Sequence, residues 1–202
     1  MKKFFAILVT LILLPLVAQA TDFKEGTHYK VIKQTTTAEP QVLEFFSFYC
    51  PHCFKFEPLM EELRDNLPEN VEIKKNHVNF IGKEMGPQLT QAYAAAELLN
   101  VEDEIASLIF DQIHTQKKII NGEQGILAIF KKAGISNAEA KGALASFSAT
   151  GLASQMKRNT ENFEIHGVPS LIVNGKYQVI TRSVSSTEEF ISLVTYLTKK
   201  MD

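Results

Sequence analysis

The sequence of 202 residues has no tryptophan and only two cysteines, Cys50 and Cys53, separated by two residues. A chain with so few cysteines lacks the several spaced pairs of a disulfide framework. A disulfide between these two would close a very short loop, which restricts the unfolded chain little and so adds little stability. The scarcity of cysteine therefore excludes a disulfide-stapled scaffold, and it indicates that this pair serves chemistry.

No apolar run of membrane-spanning length is present either. The apolar run at residues 4–17 is about 14 residues long, whereas a helix that crosses a bilayer needs about 20. It follows Lys2 and Lys3 and precedes an Ala-Gln-Ala sequence at 18–20. This pattern predicts a secretory signal peptide that is cleaved after Ala20. An uncleaved membrane anchor is the alternative.

The chain also lacks a strong charge of either sign. Without the signal peptide it carries 19 basic and 23 acidic residues, a net charge of −4. A nucleic-acid-binding protein normally has a basic patch, so no nucleic-acid partner is expected. The 182 residues that remain are enough for one domain, or for one domain with an insertion.

The apolar segment before the cysteines predicts a strand that leads into a helix. Residues 42–48 are apolar except for Glu44 and Ser47, which is typical of a strand buried on both faces. A helix beginning at the C-x-x-C motif would place Cys50 at its N-terminus. There the unpaired N–H groups and the helix dipole favour a thiolate. Cys53 would lie about one turn further in, close enough to form a disulfide with Cys50.

Strand and helix patterns alternate along the rest of the chain. The helix after the motif should reach about residue 67, with a kink at Pro58. The Asn174-Gly175 pair favours a type I′ hairpin turn. Serines at 185 and 186, each with a glutamate three residues later, predict the cap of a final helix. The other expected elements are strands at 29–32 and 71–80, a block of helices at 83–159, and strands at 170–173 and 176–179.

This order predicts an α/β protein that resembles a thioredoxin fold interrupted by an inserted α-helical domain. The predicted divisions are a signal peptide (1–20), the first part of the thioredoxin-like domain (21–82), the inserted helical domain (83–159) and the second part of the thioredoxin-like domain (160–202).

Several segments resemble the DsbA family, the periplasmic thiol:disulfide oxidoreductases of Gram-negative bacteria. They are the block at 42–53, the His-Val-Asn-Phe sequence at 77–80, the Gly-Val-Pro sequence at 167–169 and the segment at 173–178. The resemblance covers essentially the whole chain after the signal peptide. It implies an enzyme that donates a Cys50–Cys53 disulfide to newly exported proteins through a mixed disulfide. It also implies that no metal and no cofactor other than this disulfide is used.

In this scheme Cys50 is the nucleophile, predicted to be the solvent-accessible thiol, and Cys53 is the resolving thiol. The resemblance implies that Val168–Pro169 is a cis peptide bond beside Cys50, where an extended client chain binds. The sequence by itself shows only an X-Pro bond, for which trans is the commoner form.

Two further residues are candidates for a catalytic role. His52, between the cysteines, can stabilise a Cys50 thiolate by charge or by a charge-assisted hydrogen bond. The alternative is a solvated histidine without a role. Glu44 is a carboxyl group in an apolar strand, so its pKa should be raised and it could exchange protons with Cys53. The alternative is that Glu44 reaches solvent at a sheet edge.

The resemblance adds three supporting residues and the partners. Lys75 matches a lysine close to the buried acid, Glu57 matches a second acid near the site, and Pro51 belongs to the motif. His77, His114 and His166 are predicted to be structural. The implied partners are exported client proteins with free thiols and a DsbB-like inner-membrane protein that reoxidises the enzyme. A monomer in the periplasm is expected.

Three alternatives to a general oxidase remain open. One is a thioredoxin-like reductase or isomerase; a DsbC-type isomerase would carry a separate dimerisation domain, which is not expected here. Another is a metal site, although C-x-x-C supplies only two of the four ligands that zinc needs. The third is a specialised member of the DsbA family, because the segment at 179–184 is shorter than is usual in the family and borders the expected client groove.

Overall fold

A computed structural model describes residues 22–33 and 35–201, so the predicted signal peptide lies outside the described residues. One mixed sheet of five strands has the order β1-β5-β4-β2-β3. The strands are β1 (Tyr29–Val31), β2 (Gln41–Phe46), β3 (Glu72–His77), β4 (Ser170–Val173) and β5 (Tyr177–Val179). The central strand β2 pairs in parallel with β3 and antiparallel with β4.

Seven α-helices surround this sheet. They are α1 (Pro51–Asn66), α2 (Met85–Leu98), α3 (Glu102–Phe110), α4 (Gly122–Lys132), α5 (Asn137–Leu144), α6 (Phe147–Asn162) and α7 (Thr187–Thr198). A π-helical turn, Asp111–Thr115, follows α3, and a 3₁₀ turn, Thr181–Ser183, precedes α7. Within the described part of the chain, none of these helices combines the length and the apolar character of a membrane-spanning segment.

The predicted α/β architecture is confirmed, with differences at the element ends. Helices α2 to α6 follow one another between β3 and β4, which is the inserted helical block. The last of them ends at Asn162 and so crosses the predicted boundary at residue 159. Strand β2 ends at Phe46, two residues early, because the chain turns there toward Cys50. Strand β3 is also shorter than predicted, and α1 continues as one helix through Pro58.

The central strand is apolar on both faces because it contributes to three hydrophobic clusters. Phe46 packs with the helical block, Val42 packs with α7, and Phe45 packs with Ile165 and Ile172. Burial of apolar area is the main favourable term in folding, at about 25 cal/mol per Å². The strand that carries the C-x-x-C motif is therefore fixed between both parts of the molecule.

The hairpin turn after β4 also holds the end of the last helix. Asn174 and Gly175 have φ values of +52° and +66°, as the predicted type I′ turn requires. The buried Asn174 side-chain amide donates to the carbonyls of Leu197, Thr198 and Lys200, and its oxygen accepts the Gln41 N–H. One side chain thus joins the hairpin, strand β2 and the C-terminus of α7.

Candidate active site

The turn after β2 delivers Cys50 to the start of α1. The Cys50 N–H donates to the Ser47 carbonyl at 3.0 Å, and Cys50 is the N-cap residue of the helix. Its sulfur accepts the backbone N–H of Cys53 at 3.2 Å. The predicted position at a helix N-terminus is confirmed, and this N–H, one of those that have no acceptor within the helix, binds the Cys50 sulfur.

Both thiols are free, but their surroundings differ. Cys50 is 7% exposed and Cys53 is fully buried. Burial, and then the hydrogen bond with Cys50, raise the pKa of the Cys53 thiol far above its usual range. Cys50 is therefore the thiol that another molecule can reach. It is much less exposed than the prediction of a solvent-accessible thiol implies.

Val168 and Pro169 lie beside the Cys50 sulfur. The bond between them is cis, as the family resemblance implies. The Val168 carbonyl is 3.5 Å from Cys50 Sγ, in position to accept a hydrogen bond from the thiol. The next residue, Ser170, begins β4 and pairs with Phe45 of β2, so the pairing of these strands brings Val168 to the end of β2.

Beneath the cysteines, Glu44 and Lys75 form a buried ion pair with Glu57 alongside. Glu44 is completely buried in the central strand, which excludes the sheet-edge alternative. Lys75 Nζ is 3.4 Å from a Glu44 oxygen and 2.7 Å from both Glu57 oxygens. Neither Glu44 oxygen has a hydrogen-bond partner among the described residues.

This arrangement leaves Glu44 poised to change protonation near neutral pH. Burial raises the pKa of Glu44 to about 7, and the positive charge of Lys75 only partly opposes that rise. The Glu44 charge is also one of the smaller influences that raise the pKa of Cys53. For Lys75, burial lowers the pKa and the two carboxylates raise it; the net change is upward, so Lys75 stays charged.

Pro51 and His52 occupy the first turn of α1, as predicted. Both are exposed. His52 makes no hydrogen bond to any described residue, so the structure does not place its ring on the Cys50 sulfur. Its position in the first turn still puts any positive charge at the same helix end as Cys50.

Two histidines, both predicted to be structural, form hydrogen bonds with the backbone of Phe48, two residues before Cys50. The Phe48 N–H donates to Nε2 of the buried His77 at 3.2 Å, and Nδ1 of that ring donates to the Thr90 hydroxyl at 2.8 Å. Burial lowers the pKa of His77 to about 3, so the ring is neutral. On the other side, His114 Nε2 is 2.8 Å from the Phe48 carbonyl. The sequence carries no signal for either contact, since the partner is a backbone group. His166 is exposed and lies in the loop before Val168.

Fold and site together define a class of protein: a thioredoxin-like protein with a reactive dithiol at a helix N-terminus. Nowhere in residues 22–33 and 35–201 do three or more His, Cys, Asp or Glu side chains form a group that could hold a metal ion.

Comparisons with known proteins identify the family. Residues 41–191 match the family model of the DSBA-like thioredoxin domain. The thiol:disulfide interchange protein DsbA of Pectobacterium carotovorum is 40% identical over 182 residues, covering 89% of this chain and 86% of that protein. The Escherichia coli protein of the same name is 34% identical over 209 residues, covering 99% of this chain and all of the other. A solved structure of a Proteus mirabilis DsbA variant, with the peptide PWATCDS bound non-covalently, has a TM-score of 0.80 at 33% identity, covering 89% of this chain and all of that one. The chain belongs to the DsbA family.

Proposed function

We propose that this protein oxidises newly exported proteins in the periplasm by donating a Cys50–Cys53 disulfide. It is a thiol:disulfide oxidoreductase, in keeping with the relatives that carry that name. The observation that carries the proposal is the contrast between the two thiols. Cys50 caps a helix and is the more accessible, whereas Cys53 is buried behind it with a strongly raised pKa.

The transfer takes two exchange steps. In the first, a client thiolate attacks the Cys50 sulfur, the bond to Cys53 breaks, and Cys53 leaves with the electron pair. In the second, another client thiolate attacks the client sulfur of the mixed disulfide, and Cys50 leaves as a thiolate. The client loses two electrons and gains a disulfide, and the enzyme ends as the dithiol. A helix N-terminus favours the Cys50 thiolate, which makes Cys50 a good leaving group.

The first step also needs a proton, and we propose Glu44 as its source, because this buried carboxyl group is near enough for its charge to act on the Cys53 thiol. A Cys53 thiolate in a buried site is unfavourable, so it takes up a proton as it leaves. Glu44, with a pKa of about 7, is protonated in a substantial fraction of molecules near neutral pH. The supporting role proposed for Lys75 is to limit the rise in the pKa of Glu44 by its positive charge. Glu57 supports Lys75 by pairing with it.

Client chains are proposed to lie against Val168 and Pro169. The Val168 carbonyl, next to the Cys50 sulfur, can accept a hydrogen bond from the main chain of an extended peptide. A peptide bound to the Proteus mirabilis relative supports a peptide-binding role for this family. After each cycle the dithiol must be reoxidised, and a DsbB-like inner-membrane protein is the proposed oxidant. We propose a monomer, exported by the signal peptide at 1–20.

Oxidation of a reduced, unfolded client tests this function. The oxidised protein should convert the client to its disulfide form while its own dithiol appears in equal amount. Cys50→Ser should produce none. If the protein instead reduced a client disulfide and accumulated as its own disulfide, the reductase alternative would replace the oxidase.

Replacing His52 with leucine should make the protein a weaker oxidant. The variant removes an imidazole, a group able to carry positive charge and to donate a hydrogen bond, from the helix end that carries Cys50, so the dithiol form loses stabilisation. An effect of about tenfold on the equilibrium with glutathione is expected, the size of one charge-assisted interaction. His166→Leu, at an exposed histidine outside the motif, is the control. An unchanged equilibrium in the His52 variant would leave that residue without a redox role.

The short segment between β5 and α7 supports a narrow client range. Ile172 pairs with Gln178, so the register of β4 and β5, continued past the end of β5, sets residue 180 opposite Ser170, the residue that follows Pro169. Only six residues separate the end of β5 from Ser186, the N-cap of α7, so few residues are available to form a side of the groove in which clients bind. In a strain that lacks its own DsbA, the protein should restore some disulfide-dependent phenotypes and not others. Uniform full rescue would show that this segment does not restrict the clients.

A further inference from the structure

We propose that His114 is a positioning residue for the redox centre, holding the backbone before Cys50 in the geometry that favours the dithiol form. This role rests on the proposed oxidase chemistry of Cys50 and Cys53. The residue belongs to the inserted helical block, far from the motif in sequence, and its imidazole contacts one residue before the C-x-x-C segment and one residue after it.

The first contact is with the chain that enters the motif. His114 Nε2 donates to the Phe48 carbonyl at 2.8 Å. On its other side, the Phe48 N–H is bound by the neutral ring of His77. Both polar backbone groups of this buried residue are therefore held by imidazoles, one from β3 and one from the helical block. Tyr49 alone separates this fixed point from Cys50.

The second contact is with the residue that leaves the motif. The His114 ring stacks on Phe54, with centroids 5.1 Å apart and planes at 11°. Phe54 directly follows Cys53, and its N–H donates to the Cys50 carbonyl at 3.2 Å. One ring thus bridges the residues on either side of the redox pair.

A π-helical turn brings the imidazole to this position. Its wider ring is closed by the Gln116 N–H, which donates to the Asp111 carbonyl at 2.9 Å. The extra residue in the turn rotates the side chains that follow, relative to the α-helical path of α3. His114 is half-buried there, against Phe54 and Phe110.

The two contacts of His114, with Phe48 and with Phe54, should favour the dithiol over the disulfide. In the dithiol form only non-covalent contacts keep the Cys50 sulfur on the Cys53 N–H, at 3.2 Å. In the disulfide form the covalent bond fixes Cys50, so the position of Phe48 matters less. Loss of the His114 hydrogen bond should therefore weaken the dithiol form selectively and make the protein a weaker oxidant.

Two matched variants separate the hydrogen bond from the stacking. His114→Phe keeps an aromatic ring on Phe54 but cannot donate, whereas His114→Gln places an amide donor near the position of Nε2. The Phe variant should shift the glutathione equilibrium toward the disulfide by about two- to tenfold, the range for one hydrogen bond. The Gln variant should return most of that shift, and His166→Gln should show none.

Several results would overturn the proposal. One is a folded Phe variant with the wild-type equilibrium, and another is a Gln variant shifted as far as the Phe variant. If the Phe variant does not fold, ring ¹⁵N shifts of His114 in the dithiol and disulfide forms of the wild-type protein decide: a protonated Nε2 whose shift differs between the two forms supports the proposal, and an unprotonated Nε2 or identical shifts in both forms overturn it. A Cys50–Cys53 pair that formed no reversible disulfide in the wild type would instead refute the oxidase function itself.

Discussion

Cys53→Ala should trap client proteins on Cys50 as stable mixed disulfides. The variant cannot form a disulfide of its own, so its Cys50 thiolate attacks a disulfide that a client already has; one client sulfur stays bound to Cys50 and the other leaves as a thiolate. Because the enzyme then has no second thiol that can release the client, the adduct lasts until a thiol of the client or of the solution attacks it. Because Cys53 is completely buried, the alanine removes a reactive group without opening a new surface to clients. Periplasmic extracts should show adducts on non-reducing gels that dithiothreitol removes.

Cys50→Ser is the matched control for the trap. It should form no adducts, because the remaining thiol is fully enclosed and its raised pKa keeps it protonated. Adducts that formed with Cys50→Ser and were missing with Cys53→Ala would reverse the roles assigned to the two cysteines.

Glu44→Gln should remove a large pH dependence of stability. The pKa of Glu44 rises from about 4.5 to about 7 in the folded protein, chiefly because the carboxyl group is buried. Between these values the folded state binds more protons than the unfolded state, so stability falls as pH rises and levels off above about pH 7. At about 1.4 kcal/mol per pKa unit, the loss is about 3 kcal/mol. Glutamine stays neutral throughout, and Lys75 keeps its partner Glu57.

Urea unfolding of both proteins from about pH 4 to pH 8 measures this effect. The stability of Glu44→Gln relative to wild type should rise by about 3 kcal/mol across the range. Using the difference between the two proteins cancels the other groups that titrate there, among them Glu97, whose pKa burial also raises to about 7. Glu72→Gln, at an exposed position of β3, should show no such trend. A flat difference for Glu44 would mean that its carboxyl group titrates normally.

Local patterns predicted the central elements of the fold. The apolar run before the cysteines, the Asn-Gly turn and the serine cap of α7 each depend on neighbouring residues, and each is present. The ends of β2 and β3 were less predictable. Apolar residues continue beyond both ends, but their surroundings differ: Phe48 is buried against the helical block, Val78 packs with the cluster that includes Phe45, and Phe80 is about half exposed.

The parts of the site that sequence patterns missed are contacts between distant segments. The pairing of Glu44 with Lys75 follows from the parallel register of β2 and β3, and only the family resemblance pointed to it. His114 reaches Phe48 from a π-helical turn, and periodicity that assumes an α-helix cannot orient a side chain in such a turn. The enclosure of Cys50 by Val168 likewise depends on how β4 docks against β2.

The equilibrium of the Cys50–Cys53 disulfide with glutathione tests the central claim most directly. The claim is that a reachable thiol at a helix N-terminus and a buried partner make an oxidising disulfide. We predict that the dithiol form predominates in a glutathione buffer poised at about −220 mV, a potential lower than those of disulfide-forming proteins and higher than that of thioredoxin. A protein that remained mainly in its disulfide form in that buffer would be a reductant of the thioredoxin type, and the proposed function would be wrong.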